Sequence, residues 1–261
     1  MKVVSLNTWG GRGGVDALLE FVARHREDDV LCFQEVWSGG EEMLGQIGGG
    51  VQLLGVETHL LERIQSVLPE HVPYFRPLYR DFYGLLMMVH RDHEVLREEE
   101  FYIYREKGFV SETDIGDHAR VLQAVHIGGS TPHVVIHLHG LWQRVAPDVV
   151  AVTDGKQDNP DRIRQSERIA EYLRALTEPY VLVGDFNLLP DSLSIRILED
   201  AGAKNLIRTH GITSTRTRFY TKPGRFADYA FTGPGVCLDS FAVLSDEVSD
   251  HAPLYLTYTV V

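Results

Sequence analysis

The sequence VLVGDFNLLPD occupies residues 181–191 and begins as an apolar run that stops at Gly184. The run predicts a buried strand over 180–183, after which the chain releases Asp185 and Asn187, two residues apart, before its next turn. Two interpretations are open. The pair forms an Asx-type turn, in which a side chain hydrogen-bonds the backbone two residues on, or it takes part in chemistry at the end of the strand.

Strand-like and helix-like segments alternate along all 261 residues, which is typical of an α/β protein. Strands are predicted at 2–6, 30–34, 84–90, 120–127, 134–139, 180–183, 228–231 and 254–259. Helices are predicted after Asp16 as a cap, over 56–68, from Asn159-Pro160 and from near Asp191. Two segments, 39–50 and 144–158, are predicted loops. No internal repeat or linker is visible, so we expect one domain over 1–261.

The composition excludes several protein classes. Hydrophobic residues make up 44% of the chain and charged residues 24%, which allows a sizeable core. No apolar run approaches the roughly 18 residues that a membrane helix needs, and the amino-terminal VVSLNTW is too short and polar for a signal-peptide core. Cys32 and Cys237 stand singly, which indicates neither a disulfide framework nor a Cys-x-x-Cys metal site. We expect a cytoplasmic protein with no membrane anchor, and we predict no protein partner.

The net charge of −12 argues against broad electrostatic attraction to nucleic acid, because such binding depends on Lys and Arg side chains that neutralise phosphates. An acidic chain with clustered carboxylates is compatible with a divalent cation, since the cation offsets the repulsion between them. Oxygen ligands suit Mg²⁺, which Mn²⁺ can often replace, and the lack of a Cys/His cluster argues against zinc.

Polar side chains stand at the ends of the predicted strands. They are Asn7, Glu35, His139, Asp185 with Asn187, and Asp250 with His251. Most have an ordinary structural interpretation, as turn residues, strand caps or hydrogen-bonded core histidines. Glu35 fits such an interpretation less well, because it lies between Phe33 and Val36, where an unpaired carboxylate is costly. Sheet proteins tend to build sites at strand ends, and the repetition favours one shared site.

Six segments resemble, in order, the motif set of the endonuclease/exonuclease/phosphatase superfamily: SLNTWG, VLCFQEVW, HLHGLW, VLVGDFN, RFADYAF and SDHAPL. The resemblance extends from Ser5 to Leu254, nearly the whole chain. This group includes deoxyribonuclease I, abasic endonucleases, neutral sphingomyelinases, inositol polyphosphate phosphatases and deadenylases. The resemblance implies a four-layer α/β sandwich, in which two mixed β-sheets pack face to face between flanking helices. It also implies a metal-dependent phosphoester hydrolase site at one end of the sandwich.

The resemblance implies a metal site for Mg²⁺, with Mn²⁺ as a substitute. Glu35 would be the main ligand, and Asn7 and Asp250 would lie close to it. Some nucleases of the group carry an acid two residues after the first asparagine. That position is Trp9 in this chain, which leaves open whether the site binds one metal ion or two.

The resemblance also implies the catalytic residues. Asp185 would orient or deprotonate the attacking water, and Asn187 would hold that geometry. His251 would donate to a non-bridging phosphate oxygen. Asp228 would orient the imidazole of His251, and a carboxylate at this place would fix the tautomer and favour the protonated form.

His139 would contact the scissile phosphate or assist the leaving group. The segment HLHG also contains His137, which shares the strand face of His139 if the strand alternates regularly. We choose His139 because it stands at the end of the predicted strand.

One segment of this acidic chain is basic. TSTRTRFYTKPGRFAD, residues 213–228, contains Arg216, Arg218, Lys222 and Arg225. Such a patch beside the site would bind extra phosphates or a polynucleotide backbone, and Phe219 and Tyr220 would stack on bases. The alternative is a solvated loop whose charges balance neighbouring acids.

Three functions follow from these observations. The first is a metal-dependent hydrolase of a phosphodiester or phosphomonoester, with a phosphorylated small molecule or nucleic acid as substrate. The second is a nuclease that acts on single-stranded or abasic DNA. The third is a non-catalytic binding module that keeps the fold. A small phosphorylated molecule or a short single strand suits the acidic surface better than long duplex does.

Overall fold

A computed structural model of the chain describes residues 1–48, 51–111, 116–142 and 156–261, and these ranges contain two six-stranded sheets. Across the first sheet, the strands are β13 (Val236–Val243), β14 (Leu254–Val260), β1 (Lys2–Asn7), β2 (Val30–Trp37), β6 (Tyr83–His90) and β5 (His71–Tyr79). Across the second, they are β11 (Lys204–Asn205), β12 (Asp228–Thr232), β10 (Tyr180–Asp185), β9 (His133–His139), β8 (Arg120–Ile127) and β7 (Val95–Tyr104). A separate hairpin pairs β3 (Ile47–Gly48) with β4 (Val51–Gln52).

The sheets pack face to face with helices outside them. Alternate residues of β2 show the two faces: Val30 and Cys32 lie in the core between the sheets, whereas Leu31 and Phe33 pack under the helices. The helices are α1 (Val15–Arg24), α2 (Leu60–Val67), α3 (Pro160–Ala175), α4 (Leu193–Asp200) and α5 (Leu206–Thr209). The predicted four-layer sandwich is therefore confirmed. None of the described helices is both long enough and apolar enough to cross a membrane.

Each sheet has a parallel pair near its centre, β1 with β2 in the first and β9 with β10 in the second. The ends of these pairs meet, because Asn7 at the end of β1 donates a hydrogen bond to Asp185 at the end of β10. Strand β12 runs antiparallel to β10 and begins at the same edge, where Asp228 pairs with Asp185. The polar residues at the ends of several strands therefore lie together at one edge of the sandwich.

All eight predicted strands are present, and three long strands were not predicted. These three, β5, β7 and β13, are edge strands of the sheets. Edge strands are partly solvated and therefore lack the apolar runs that marked the central strands. Strand β5 also contains Pro73 and Pro77, which cannot donate in a ladder and are tolerated at an edge.

All four predicted helices are present, the short helix α5 was not predicted, and the predicted helix ends were less accurate. Asn159 caps α3 as predicted, since its Oδ1 accepts from the backbone N–H of Arg162 at 2.9 Å. Asp16 was predicted as a cap and instead lies in the first turn of α1. Helix α2 begins later than predicted, and α4 is capped by Ser192 rather than beginning near Asp191. The predicted loop over 144–158 lies mostly outside the described residues.

His137 is fully buried between the sheets. Its Nε2 lies 2.6 Å from the side-chain nitrogen of Gln34, an amide that can only donate, so Nε2 is the acceptor and the ring is neutral. Among the described residues, Nδ1 has no hydrogen-bond partner. Burial lowers the pKa of His137 to about 3.

This buried histidine predicts a loss of stability in acid. The ordinary pKa of 6.5 applies to the unfolded chain, so between pH 6.5 and about 3 the unfolded state binds a proton that the folded state excludes. Stability contributed by neutral His137 is complete above that window and falls as pH falls through it, by about 1.4 kcal/mol per pH unit. His137→Gln should therefore lose less stability than the native chain between pH 6 and pH 5, measured by urea unfolding. The exposed-histidine variant His59→Gln should follow the native curve, and parallel curves for His137→Gln would contradict the prediction.

Candidate active site

Asp185 lies at the centre of the polar strand ends. It is 1% exposed, and its Oδ2 accepts from the Asn7 amide at 2.9 Å. The same oxygen lies 3.6 Å from Nε2 of His139 and 3.6 Å from Nε2 of His251. The structure therefore brings three other predicted site residues around one carboxylate oxygen of Asp185.

The two oxygens of Asp185 have different surroundings. Oδ1 accepts from the backbone N–H of Asn187 at 2.8 Å, which is the Asx-type turn that the sequence left open. Oδ2 faces the histidines. Asn187 has a positive φ of 54° and donates from its side chain to the carbonyl of Gly140 at 3.3 Å. The turn interpretation of the Asp185–Asn187 pair therefore holds, and the turn fixes the direction in which the second oxygen points.

Two glycines let the backbones at this edge approach closely. Gly184 has a φ of +140°, and a Cβ built there would lie 2.1 Å from the carbonyl oxygen of Leu138. A Cβ at Gly140 would lie 2.6 Å from the carbonyl oxygen of Phe186. Any larger residue at either position would push apart the strands that carry Asp185 and His139.

Asn7 is held in one orientation. Its Oδ1 accepts from the backbone N–H of Trp9 at 2.9 Å, so its nitrogen must face the carboxylates. That nitrogen donates to Glu35 Oε1 at 3.2 Å and to Asp185 at 2.9 Å. Asn7 was predicted as a residue of the metal site. In this conformation its side-chain nitrogen donates hydrogen bonds to both carboxylates.

Glu35 leaves the ladder of β2 at a bulge. The register with β6 shifts between Phe33 and Val36, and Glu35 adopts a φ of 58°. Bulges of this kind re-aim a side chain next to functional sites. Burial raises the pKa of Glu35, and the charges of Asp250 and Asp185 raise it further against the lowering effects of Arg12 and Asn7. Burial is therefore the main cause of the raised pKa, and both acidic and basic neighbours act on Glu35.

His251 and Asp228 form a buried pair. Nδ1 of His251 lies 2.9 Å from each carboxylate oxygen of Asp228, which leaves Nε2 directed at Asp185. Burial lowers the pKa of His251 to about 4 and raises the pKa of Asp228 to about 7. Asp228 was expected to favour the protonated imidazole. The structure shows that burial opposes this effect, because both charged forms have lost their water.

His139 and His137 are separated by the structure. His139 lines the cavity at this edge, and its Nε2 lies 4.0 Å from Glu35 Oε1. His137 points to Gln34 in the core and does not line the cavity. Burial lowers the pKa of His139 well below its usual value, and the positive charges of Arg120 and His118 lower it further. Of the two candidates, only His139 faces the other site residues.

Asp250 faces the cavity beside a buried arginine. Its Oδ2 accepts from Nη1 of Arg216 at 2.8 Å. Its Oδ1 is buried and has no hydrogen-bond partner in the described ranges, with Nε2 of His251 at 3.7 Å. An orphaned carboxylate oxygen near the crowded Glu35 is an arrangement that a hard cation would stabilise.

A second grouping of possible ligands includes Asp185, Asp228 and His251. One donor atom of each lies within 4.8 Å of the other two, and all three residues are buried. Two of them are already hydrogen-bonded to each other, and Asp228 holds the imidazole through Nδ1. This grouping differs from the predicted one of Asn7, Glu35 and Asp250, and a hydrogen bond from Asn7 to Asp185 joins the two.

The four predicted substrate-binding residues have different surroundings. Arg216 is 8% exposed and lies over the ring of Tyr220, and both Arg216 and Lys222 line the cavity. Arg218 pairs with Glu247 and is not part of the described lining. Arg225 is also outside that lining and donates to the carbonyls of residues 216, 217 and 220, so it braces the loop. Charge density in the sequence did not indicate where each guanidinium would point.

The cavity has a volume of about 220 Å³. Besides the predicted residues, its walls include four basic side chains that the sequence argument missed: Arg12, His118, Arg120 and Lys156. Arg120 could have been found from the sequence, because it is the first residue of a predicted strand and the other site residues also lie at strand ends. Trp9, Trp37 and Val56 form an apolar part of the wall.

The sequence model described as "Endonuclease/Exonuclease/phosphatase family" matches residues 4–251 of the chain. The chain belongs to this family. The endonuclease/exonuclease/phosphatase family comprises phosphoester hydrolases, and its motifs coincide here with the edge at which Asp185, His251 and Glu35 meet. The resemblance drawn from six short segments is therefore confirmed.

Solved structures share the fold of this family member at low sequence identity. The mannosyl-6-phosphatase of Bacteroides thetaiotaomicron has 15% identity and a TM-score of 0.66, covering 99% of both chains. TDP2 of D. rerio, complexed with single strand DNA product, has 14% identity and a TM-score of 0.67, covering 100% of this chain and 99% of that one.

A relative by sequence is an uncharacterised calcium-binding protein of Arabidopsis thaliana. It is 29% identical over 176 residues, which is 62% of this chain and 31% of that protein. The chain thus matches about a third of the length of this relative.

Proposed function

We propose that this protein hydrolyses a phosphoester through attack of a water positioned by Asp185, with the help of a divalent metal ion. The observation that carries the proposal is the arrangement around Asp185 Oδ2, where the Asn7 amide and two histidines converge on one buried carboxylate oxygen. A carboxylate that accepts a proton beside imidazoles that donate is the combination that hydrolysis of an anionic ester needs.

The metal fits the oxygen donors at this edge. Glu35 would hold Mg²⁺ or Mn²⁺, with Asp250 and Asn7 beside it, because Asp250 Oδ1 has no hydrogen-bond partner in the described residues and burial disfavours the Glu35 carboxylate without a cation. The ion would neutralise the phosphate and polarise its ester oxygen. Asn7 would bind it through oxygen only if its amide turned from the hydrogen bond with Trp9.

The remaining roles belong to the side chains. Asp185 would accept the proton of the attacking water, and the turn through Asn187 would fix its direction. His251 would donate from Nε2 to a non-bridging oxygen once the phosphate anion favours the protonated ring, with Asp228 holding Nδ1. His139, on the other side of Asp185 Oδ2, would contact the phosphate or the leaving oxygen.

The substrate that we favour is a small phosphorylated molecule. A cavity of about 220 Å³ with basic and apolar walls suits a compact ligand, and the net charge of −12 opposes long duplex DNA. A nuclease that acts on single-stranded or abasic DNA is the second candidate. It is supported by the fold shared with TDP2, which was solved with single strand DNA product, and by Tyr220 in the cavity wall.

We also propose a cytoplasmic location, since Cys32 and Cys237 are both free.

One panel tests these functions. The protein is assayed on phosphomonoesters, phosphodiesters, single-stranded DNA and abasic DNA, each with Mg²⁺, Mn²⁺ or EDTA. We expect hydrolysis with either ion and none in EDTA, with small esters preferred. Faster cleavage of DNA would favour the nuclease. Activity that persists in EDTA would contradict the proposed metal requirement. If no substrate is hydrolysed, the result would favour a non-catalytic binding module.

Replacement of the proposed main ligand should change the metal requirement. Glu35→Gln keeps the shape of the side chain and removes one negative charge from the metal site. The Mg²⁺ concentration for half-maximal activity should rise at least about tenfold. Replacing a residue that only hydrogen-bonds a metal ligand already lowers metal affinity by about that factor. The measurement is a Mg²⁺ titration of activity, with Glu20→Gln on the exposed face of α1 as the matched control. An unchanged titration for Glu35→Gln would exclude Glu35 as a ligand.

A further inference from the structure

Arg120 is a buried guanidinium whose hydrogen bonds are mostly unmade. It begins β8 and is 2% exposed. Nη2 donates to the carbonyl of Gly116 at 3.1 Å. Nε and Nη1 are buried and find no hydrogen-bond partner among the residues that the structure describes. Within the same residues, no carboxylate lies within 4.0 Å of the guanidinium.

Two other buried arginines make more contacts, although each also has one nitrogen without a hydrogen-bond partner in the described residues. Arg216 pairs with Asp250 at 2.8 Å, and Arg162 donates to the carbonyls of Leu141 and Gln157. A buried cation without such partners is strongly unfavourable, and it is retained where a ligand supplies the missing charge. Burial lowers the pKa of Arg120, and the charges of Asp185 and Glu35 oppose this effect without forming an ion pair with it. Within the described residues, Arg120 is thus a buried cation with two nitrogens that lack hydrogen-bond partners.

Arg120 lines the cavity, as Arg216 does. In the second sheet, β12 flanks β10 on one side, whereas β9 and then β8 follow on the other. Two strand intervals of about 5 Å each place the start of β8 about 10 Å from the strand that carries Asp185. His118 lines the cavity on the same side, and Arg120 and His118 both lower the pKa of His139. The Arg120 guanidinium and the His118 imidazole therefore line the cavity beyond His139, about two strands from Asp185.

We propose that Arg120, with His118 beside it, binds an anionic group of the substrate other than the phosphoester being hydrolysed. The ligand group is an oxyanion, a phosphate or a carboxylate, because a guanidinium pairs with such planar or trigonal sets of oxygens through two donors. The substrate class is then a small phosphoester with a second anionic group about 10 Å or less from the scissile phosphorus. The identity of this group as part of a substrate rests on the proposed function, whereas anion binding by Arg120 does not.

The first test measures anion binding without metal. Inorganic phosphate is titrated into the full chain in EDTA by calorimetry, where the carboxylates at Asp185 and Glu35 repel it and Arg120 attracts it. Arg120→Gln should weaken phosphate binding at least about tenfold, the loss of one bidentate charged contact. Arg97→Gln removes the same charge from an exposed position on the neighbouring strand β7 and should leave binding unchanged. Equal phosphate affinity in Arg120→Gln and the native chain would overturn the proposal.

A second variant separates binding from folding. Arg120→Met replaces the unpaired cation by an apolar side chain of similar length. The ligand-free melting temperature should rise by about 2 °C or more, and the stabilisation given by added phosphate should disappear. A lower melting temperature with unchanged phosphate stabilisation would assign Arg120 to the fold and overturn the proposal.

The last arm identifies which anion Arg120 contacts. A nucleoside monophosphate and the matching bisphosphate are compared as substrates with Mg²⁺. Arg120→Gln should lose at least about tenfold more in kcat/KM on the bisphosphate than on the monophosphate. Equal losses would mean that Arg120 contacts the hydrolysed phosphate, which would contradict the proposal. Failure to hydrolyse either compound would contradict the proposed function and leave the phosphate titration to decide the subsite.

Discussion

Asp185→Asn should lower kcat by about 10³–10⁴-fold and leave the fold intact. The amide keeps an oxygen for the backbone N–H of Asn187, so the turn after β10 survives. Its nitrogen replaces Oδ2, which accepts from the Asn7 amide and would accept the proton of water. Two donors would then face each other, and the site would lose its base, an effect typically of this size. The measurement is steady-state kinetics with the best substrate of the panel, together with a thermal melt.

The matched control for this variant is Asp191→Asn. Asp191 follows the same strand and is exposed, so its replacement removes an equal charge near the site without touching the cavity. Its kcat should stay within about twofold of native. Near-normal turnover by Asp185→Asn would remove Asp185 from the mechanism, and a lower KM with unchanged kcat would do the same.

The central strands could be predicted from the sequence because burial on both faces leaves nearly continuous apolar runs. VLVG before Asp185 and VVIHL before His139 are examples, and both strands lie in the middle of the second sheet. The edge strand β7 contains REEE and gave no such signal, since one of its sides is open to solvent. The sequence therefore located the strands that carry the chemistry better than those that complete the sheets.

The site residues could be predicted where the backbone alone sets their position. Asn7, His139 and Asp185 stand at the ends of parallel strands, and parallel strands share an edge whatever their side chains do. Arg218 and Arg225 lie on a loop, where nothing in the sequence decides whether a guanidinium meets Glu247, a carbonyl or a substrate. The missed Arg12 and Lys156 also lie outside strands and reach the cavity through tertiary packing.

His251→Gln should lower kcat by about 10²–10⁴-fold with a small change in KM, because His251 would act mainly as charge develops on the phosphate. Glutamine can still donate a hydrogen bond but cannot become positively charged. The exposed-histidine variant His210→Gln should keep native kinetics. A change in KM alone would mean that His251 binds the ground state and the transition state equally.

The hydrogen-bonded pairing of His251 with Asp228 allows a second test of the role of His251. Both carboxylate oxygens of Asp228 lie 2.9 Å from Nδ1, so Asp228 would act through the imidazole and not on the substrate. Asp228→Asn should therefore lower kcat strongly in the native chain and only slightly in the His251→Gln background, a non-additive result in a double-mutant cycle. If Asp228→Asn costs the same in both backgrounds, Asp228 has a role of its own, and the grouping of Asp185, Asp228 and His251 would have to be reconsidered as a metal site. Mn²⁺ titrations of the two single variants would then show which of these residues bind the ion.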